Sequence, residues 1–122
     1  MKYVRLYSDP AGQSHFAESE IEFTNYNFNT PIQPVLISAN SPATQCAFCL
    51  FPAGWQGDWH PVPCRRFFYF LSGEAVTEVS DGEVRHFTPG SAVLVEDTTG
   101  VGHITRVVSQ TDVLTAIVQL PD

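Results

Sequence analysis

Residues 65–87 read RRFFYFLSGEAVTEVSDGEVRHF, and they decide the fold class. Arg65–Leu71 carries four consecutive aromatic residues, at positions 67–70, which suits a pleated strand. Ser72-Gly73 breaks it, Ala75–Val79 resumes with β-branched residues, and Asp81-Gly82 then precedes Glu83–Phe87. Asp-Gly between two such runs predicts a hairpin closed by a type I′ turn. Outward from this stretch the same rhythm continues, with nine prolines and eight glycines spread along the chain. Further strands are predicted at Tyr3–Tyr7, Ile21–Phe28, Val35–Ile37, Thr44–Phe51, Ala92–Val95, His103–Val108 and Val113–Leu120. Breaks at intervals of about 8–12 residues, with no helical apolar period, predict an all-β sandwich or barrel.

The chain has 122 residues and 13.5 kDa, enough for one domain. The Pro-rich patch around Pro31, Pro34 and Pro42 reads as a surface connection between an N-terminal arm (1–43) and a denser core (44–120). Six basic against thirteen acidic residues, net charge −7, argue against a nucleic-acid surface. No apolar run is long enough to span a membrane. Three cysteines and no apolar leader in Met1–Pro10 predict a reduced, cytoplasmic setting. In Arg65–Leu71, Phe68 and Phe70 fall on one face while Phe67, Tyr69 and Leu71 fall on the other. A strand apolar on both faces must be covered on both. One cover is the barrel interior; the N-terminal arm or a second subunit supplies the other, so a homodimer is expected.

Two stretches resemble the sequence motifs of the cupin superfamily. Gly54, five further residues, His60 and then Gly73 fall in register with the first motif, and Pro89-Gly90 with Gly100-Val101-Gly102-His103 echo the second. Residues 96–103, EDTTGVGH, look like those of uncharacterised small single-domain cupins. The resemblance implies a cupin-type double-stranded jelly-roll barrel. Family metal sites hold three histidines and a glutamate inside the barrel. Here the first and third histidines are kept as His60 and His103, but Val62 stands at the second and Arg66 (or Phe67) at the glutamate. Thr98 and Val107 replace the proline and asparagine of the second motif, and the segment before His103 is two residues longer than the pattern.

Two histidines fall short of the three protein ligands of a usual catalytic metal, and an arginine at a ligand position repels a cation. No cofactor is therefore predicted, and His60, His103 and Cys64 are the set a divalent transition metal would use if one bound. Without metal, His60 and His103 are candidate acid and base. Arg66 is the candidate anchor for an anionic ligand, with Phe68, Phe70 and Trp59 as apolar wall. The function expected is a small-molecule-binding cupin, read first as a metal-independent isomerase, epimerase or lyase. A non-catalytic ligand-binding or sensing module is the alternative, and a metal-dependent oxygenase or isomerase the third. Either His60 or His103 could instead be a structural histidine satisfied by a neighbouring group. Glu96 and Asp97 either orient His103 or are solvated in the loop. His15 is read as a surface residue, with a reach to the pocket mouth or a dimer partner as the alternative. Cys46 and Cys49 have C-x-x-C spacing, but a strand sends their sulfurs to opposite faces.

Overall fold

The computed structural model describes residues 1–27 and 32–122. All its regular elements are strands: β1 (Lys2–Ser8), β2 (Ser14–Glu20), β3 (Thr24–Tyr26), β4 (Val35–Ile37), β5 (Gln45–Phe51), β6 (Arg66–Ser72), β7 (Ala75–Val79), β8 (Val84–Phe87), β9 (Ala92–Glu96), β10 (His103–Val107) and β11 (Val113–Gln119). Among the described residues no helix is long and apolar enough to cross a membrane.

The strands form a six-stranded sheet in the order β2-β1-β9-β6-β11-β5, a three-stranded sheet β10-β7-β8, and a small pair β3-β4. Only the β1–β9 pairing in the large sheet is parallel. The two larger sheets face each other across Leu6, Phe16, Phe70, Ala75, Phe87, Val93 and Val107. Each of these buried Leu, Phe and Val side chains stabilises the fold by about 1.5–3 kcal/mol relative to exposure. Phe70 and Phe87 stack across the gap at 5.2 Å, one from each sheet.

The structure departs from the expected strands in three places. β2 was not foreseen: SHFAESE is polar, yet it pairs with β1 over seven residue pairs, so tertiary pairing overrides its composition. The run Ile21–Phe28 shortens to β3, and its end at Phe28, like Pro31 of the Pro-rich patch, lies outside the described residues. The β7–β8 turn is not type I′, which requires a positive φ at both central residues. Gly82 (φ 95°) is the one residue of this turn with positive φ. Gly82 N–H donates to the Val79 carbonyl and Val79 N–H to the Glu83 carbonyl, the pattern of a three-residue loop ending in a glycine bulge.

Strand β6 is apolar on both faces, as its sequence indicates. Phe68 and Phe70 face inward. On the other side Phe67 stacks on Tyr69 at 5.5 Å and meets Tyr3 of β1 edge-on at 5.6 Å. Burial there raises the Tyr69 phenol above its ordinary pKa. The apolar outer surface continues to edge strand β5, where Phe48 is 74% and Leu50 56% exposed.

Candidate functional site

Between the sheets lies a cavity of about 280 Å³ whose wall includes His60, Arg66, Phe68, Phe70, Thr105 and His103. Strand alternation places Arg66, Phe68 and Phe70 on its inner face, and a slip of one residue would have turned all three outward. Arg66 pairs with Val95. The chain leaving Val95 reaches Asp97, whose carbonyl accepts from Val62 N–H at 3.1 Å. Arg66 and the histidines therefore share one end of the barrel. Exposed His60 and half-buried Arg66 mark that end as the mouth. Phe70, Phe87 and Ala75 close the other end, with Phe51 and Trp55 (4.9 Å apart) beside them.

Residues 55–60 run as an extra strand along β10. Val107 N–H donates to the Trp55 carbonyl, Gly57 N–H to Thr105, and His60 and His103 exchange both backbone bonds at 3.0 Å. That bridge sets the two imidazoles side by side, with ring centroids 4.9 Å apart and planes inclined at 50°. Gly102 (φ 77°) makes the approach available, because a Cβ there would overlap the His60 carbonyl. The neighbouring Gly100 (φ 78°) admits the backbone of Gly12 in the same way.

Each imidazole is held at Nδ1. His60 Nδ1–H donates to the Asp58 carbonyl at 2.8 Å, and His103 Nδ1–H donates to Asp97 Oδ2 at 2.6 Å. Both tautomers thus leave Nε2 as the nitrogen for chemistry. Asp97 is fully buried, and its Oδ1 has no hydrogen-bond partner among the described residues. The structure selects the orienting alternative for Asp97 over a solvated loop carboxylate. Glu96, one residue earlier, points elsewhere and bridges Arg5 and Arg65, each at 2.9 Å.

Other candidates fall in different places. Trp59 lies outside the cavity wall, 41% exposed, and Trp55 takes the wall position. Strict alternation would set Trp55 and Trp59 on one face, but the segment takes four steps from Gln56 to His60 while β10 takes three from Arg106 to His103, and this extra residue breaks the alternation. Trp55 packs on Phe51, and the Gly57 Cα leaves room for its ring. Cys64 is turned to Arg66, whose Nη2 donates to Sγ at 2.8 Å and whose Nε donates to the Cys64 carbonyl at 3.4 Å. Cys49 lines the cavity and Cys46 is exposed, on the opposite faces that their spacing indicates. His15 does not line the cavity. Its Nε2 meets Asp9 at 2.7 Å and its Nδ1 meets Asp81 at 2.8 Å, and these carboxylates hold its pKa above the ordinary value. Phe51, Phe87, Thr77 and Thr105 complete the wall without a motif to announce them; the two threonine hydroxyls bond each other at 2.8 Å.

The donor set does not fit the metal that cupin motifs imply. Val62, at the second histidine position, is 5% exposed and packs in the core, and the glutamate position presents a guanidinium. Among the described residues no group of three or more His, Cys, Asp or Glu side chains is placed to hold a cation.

No family model matches the sequence, and no curated protein matches it. Solved structures do resemble the fold. An RmlC-like cupin family protein with a double-stranded β-helix fold, from Methanocaldococcus jannaschii, aligns with TM-score 0.55 at 19% identity, covering 84% of this chain and 94% of that one. The cupin domain of Schizosaccharomyces pombe Cnp3 aligns with TM-score 0.55 at 12% identity, over 100% of this chain and 83% of that one. The sheet pairing, the cavity between the sheets and these alignments lead to one conclusion: the chain folds as a single small cupin-type double-stranded β-helix.

Proposed function

We propose that the cavity binds a small anionic molecule and that His60 and His103 move a proton on it without a metal, as an isomerase, epimerase or lyase does. The observation that carries this reading is the pair of imidazoles bridged backbone to backbone, each fixed at Nδ1 and sharing one cavity. One Nε2 takes a proton from a carbon beside a carboxyl or carbonyl group; the other returns a proton at a second position or face or, in a lyase, protonates the group that leaves as the double bond forms. The substrate undergoes no net oxidation. Asp97 holds the His103 ring in place and stabilises its imidazolium when it carries the extra proton. Arg66 holds the anion and the apolar wall excludes water.

The test is a ligand and turnover screen on the wild type, His60→Ala and His103→Gln. Under this reading both substitutions abolish turnover while ligand still binds. Binding without turnover by the wild type would favour the non-catalytic ligand-binding or sensing module. A stoichiometric transition metal in chelator-free protein, lost in His60→Ala, would overturn the metal-independent mechanism in favour of metal-dependent oxygenase or isomerase chemistry.

We read the protein as a cytoplasmic homodimer; its cysteines are free, and the apolar outer surface from Tyr3 to Phe48 and Leu50 is the side that a second copy covers. Light scattering of the wild type beside a Phe48→Glu/Leu50→Glu variant tests it. A dimer that becomes a folded monomer supports the reading, and a monomeric wild type at micromolar concentration overturns it.

A further inference from the structure

The ion pairs of the molecule show what charge the cavity lacks. Lys2 pairs with Glu18, Arg5 and Arg65 share Glu96, and Arg85 pairs with Glu18 and Glu83. Among the described residues that leaves Arg66 and Arg106 as the cationic side chains with no carboxylate within ion-pair distance. Arg106 is exposed on β10, where water solvates it. Arg66 is half-buried and lines the cavity. Its fork is pinned at Nε and Nη2 by Cys64, which fixes its direction without neutralising it. A half-buried guanidinium without a counter-ion is costly unless an anion completes it.

The rest of the cavity limits that anion. Among the described residues no carboxylate lines it, and the nearby Asp97 is sealed behind His103, so the site is matched by a single negative charge. A phosphate dianion calls for a second cation, and Arg5 and Arg65 are already engaged by Glu96. Beyond the mouth the wall is aromatic and aliphatic, and the Thr77 and Thr105 hydroxyls share one hydrogen bond, which leaves a single O–H donor between them. A sugar or nucleotide would leave most of its hydroxyls unpaired there. The 280 Å³ volume lies just under the range of about 300–1,000 Å³ typical of pockets for drug-sized ligands.

We propose that the ligand is a small monocarboxylic acid with a compact apolar body, aromatic or branched, its carboxylate on Arg66 at the mouth and its body between Phe68, Phe70 and Phe87. This rests on the cavity being the ligand site, as read above. The carboxylate end then lies beside His60 and His103, where an acidified α-carbon proton is within the histidines' province.

Calorimetric titration of the full chain with benzoate, phenylacetate and a branched 2-oxo acid tests it, with methyl benzoate and phenyl phosphate as the uncharged and dianionic comparisons. At least one of the acids binds, the ester and the phosphate bind at least tenfold more weakly, and Arg66→Met weakens the acid roughly tenfold to a hundredfold. Arg66→Lys, which keeps charge but not the fork, gives a smaller loss, and Arg106→Met gives none. If ester or phosphate binds as well as the acid, or the Arg66 variants bind unchanged, the monocarboxylate assignment is overturned while the cavity stands as a site. If no probe binds and none moves the His60 or His103 ring resonances, the cavity reading falls with it.

Discussion

Two histidines in this chain sit on carboxylates at nearly the same distance and are used differently. His15 is clamped at both ring nitrogens, by Asp9 and Asp81, on the rim where the β1–β2 turn meets the β7–β8 turn. Its partners are saturated: Asp9 Oδ1 also accepts from Ala11 and Gln13 N–H, and Asp81 Oδ1 accepts from Glu83 N–H. Among the described residues His103 is held at Nδ1 alone, by a fully buried Asp97 whose second oxygen has no partner there. A side chain whose bonding capacity is fully used can only hold structure together. One with a ring nitrogen left for a cavity can do chemistry, and the orphaned Asp97 oxygen is a cost that structural pairs do not carry. The two regions are joined by the loop 98–102. Ser14 Oγ donates to the Gly102 carbonyl at 2.6 Å and Val101 N–H to the Gly12 carbonyl at 2.9 Å.

The sharpest way to break that contrast is at the joint. Gly102→Ala forces a Cβ into the His60 backbone at a positive φ. We expect a loss on the order of 4 kcal/mol or more, in the exceptional range for single substitutions, together with separation of the two imidazoles. Urea melts and the histidine ring resonances measure both. A well-folded Gly102→Ala protein with unshifted rings would show that the bridge does not depend on this glycine. Asp97→Ala comes next. It strips the partner of His103 Nδ1 and should cost about 1–3 kcal/mol. Unlike a structural lesion, it should also let the His103 ring sample both tautomers, visible in its nitrogen shifts. Preserved tautomer purity after Asp97→Ala would move the orienting role to another group.

How much of this the sequence carried depended on how local each signal was. The double-faced β6 run, the Asp-Gly hairpin and the Gly-x-Gly-His segment are local patterns, and they placed Arg66, Phe68, Phe70, His60 and His103 on the cavity wall. β2 was hidden because SHFAESE has little apolar content of its own and becomes a strand only by lying against β1. Trp55 and Trp59 were interchangeable by composition. Only the backbone pairing of residues 55–60 with β10 decides which indole faces in. Asp97 was legible as a neighbour of His103 in sequence, six residues away, but burial separates it from Glu96, and burial is a property of the folded loop. The clamp on His15 joins residues 66 apart and could not be read from spacing.

The smallest effect belongs to that clamp, and its pH dependence separates it from the site. The bonds to Asp9 and Asp81 raise the His15 pKa above its ordinary 6.5 in the folded protein. A folded-state pKa above the unfolded one means extra protons are bound on folding, so the contribution is full below about pH 6.5 and fades as pH rises through the raised value. Both carboxylates move the other way from their ordinary 3.8: Asp9 is lowered first by the His15 hydrogen bond, Asp81 first by the Glu83 N–H. Their share fades as pH falls through the lowered values. The clamp therefore stabilises most between the lowered carboxylate range and the raised histidine range. His15→Asn should lower the melting temperature at pH 6 and converge toward wild type once the pH has passed the raised His15 pKa, because neutral His15 has lost the charge that the two carboxylates hold. Ligand affinity at pH 6 should stay within about threefold of wild type, since His15 lines no part of the cavity. An equal melting penalty at every pH would show that the clamp works by hydrogen bonding alone. A large loss of affinity would show that the loop 98–102 passes strain from the rim to His103, and the two histidines would then have to be treated as one unit.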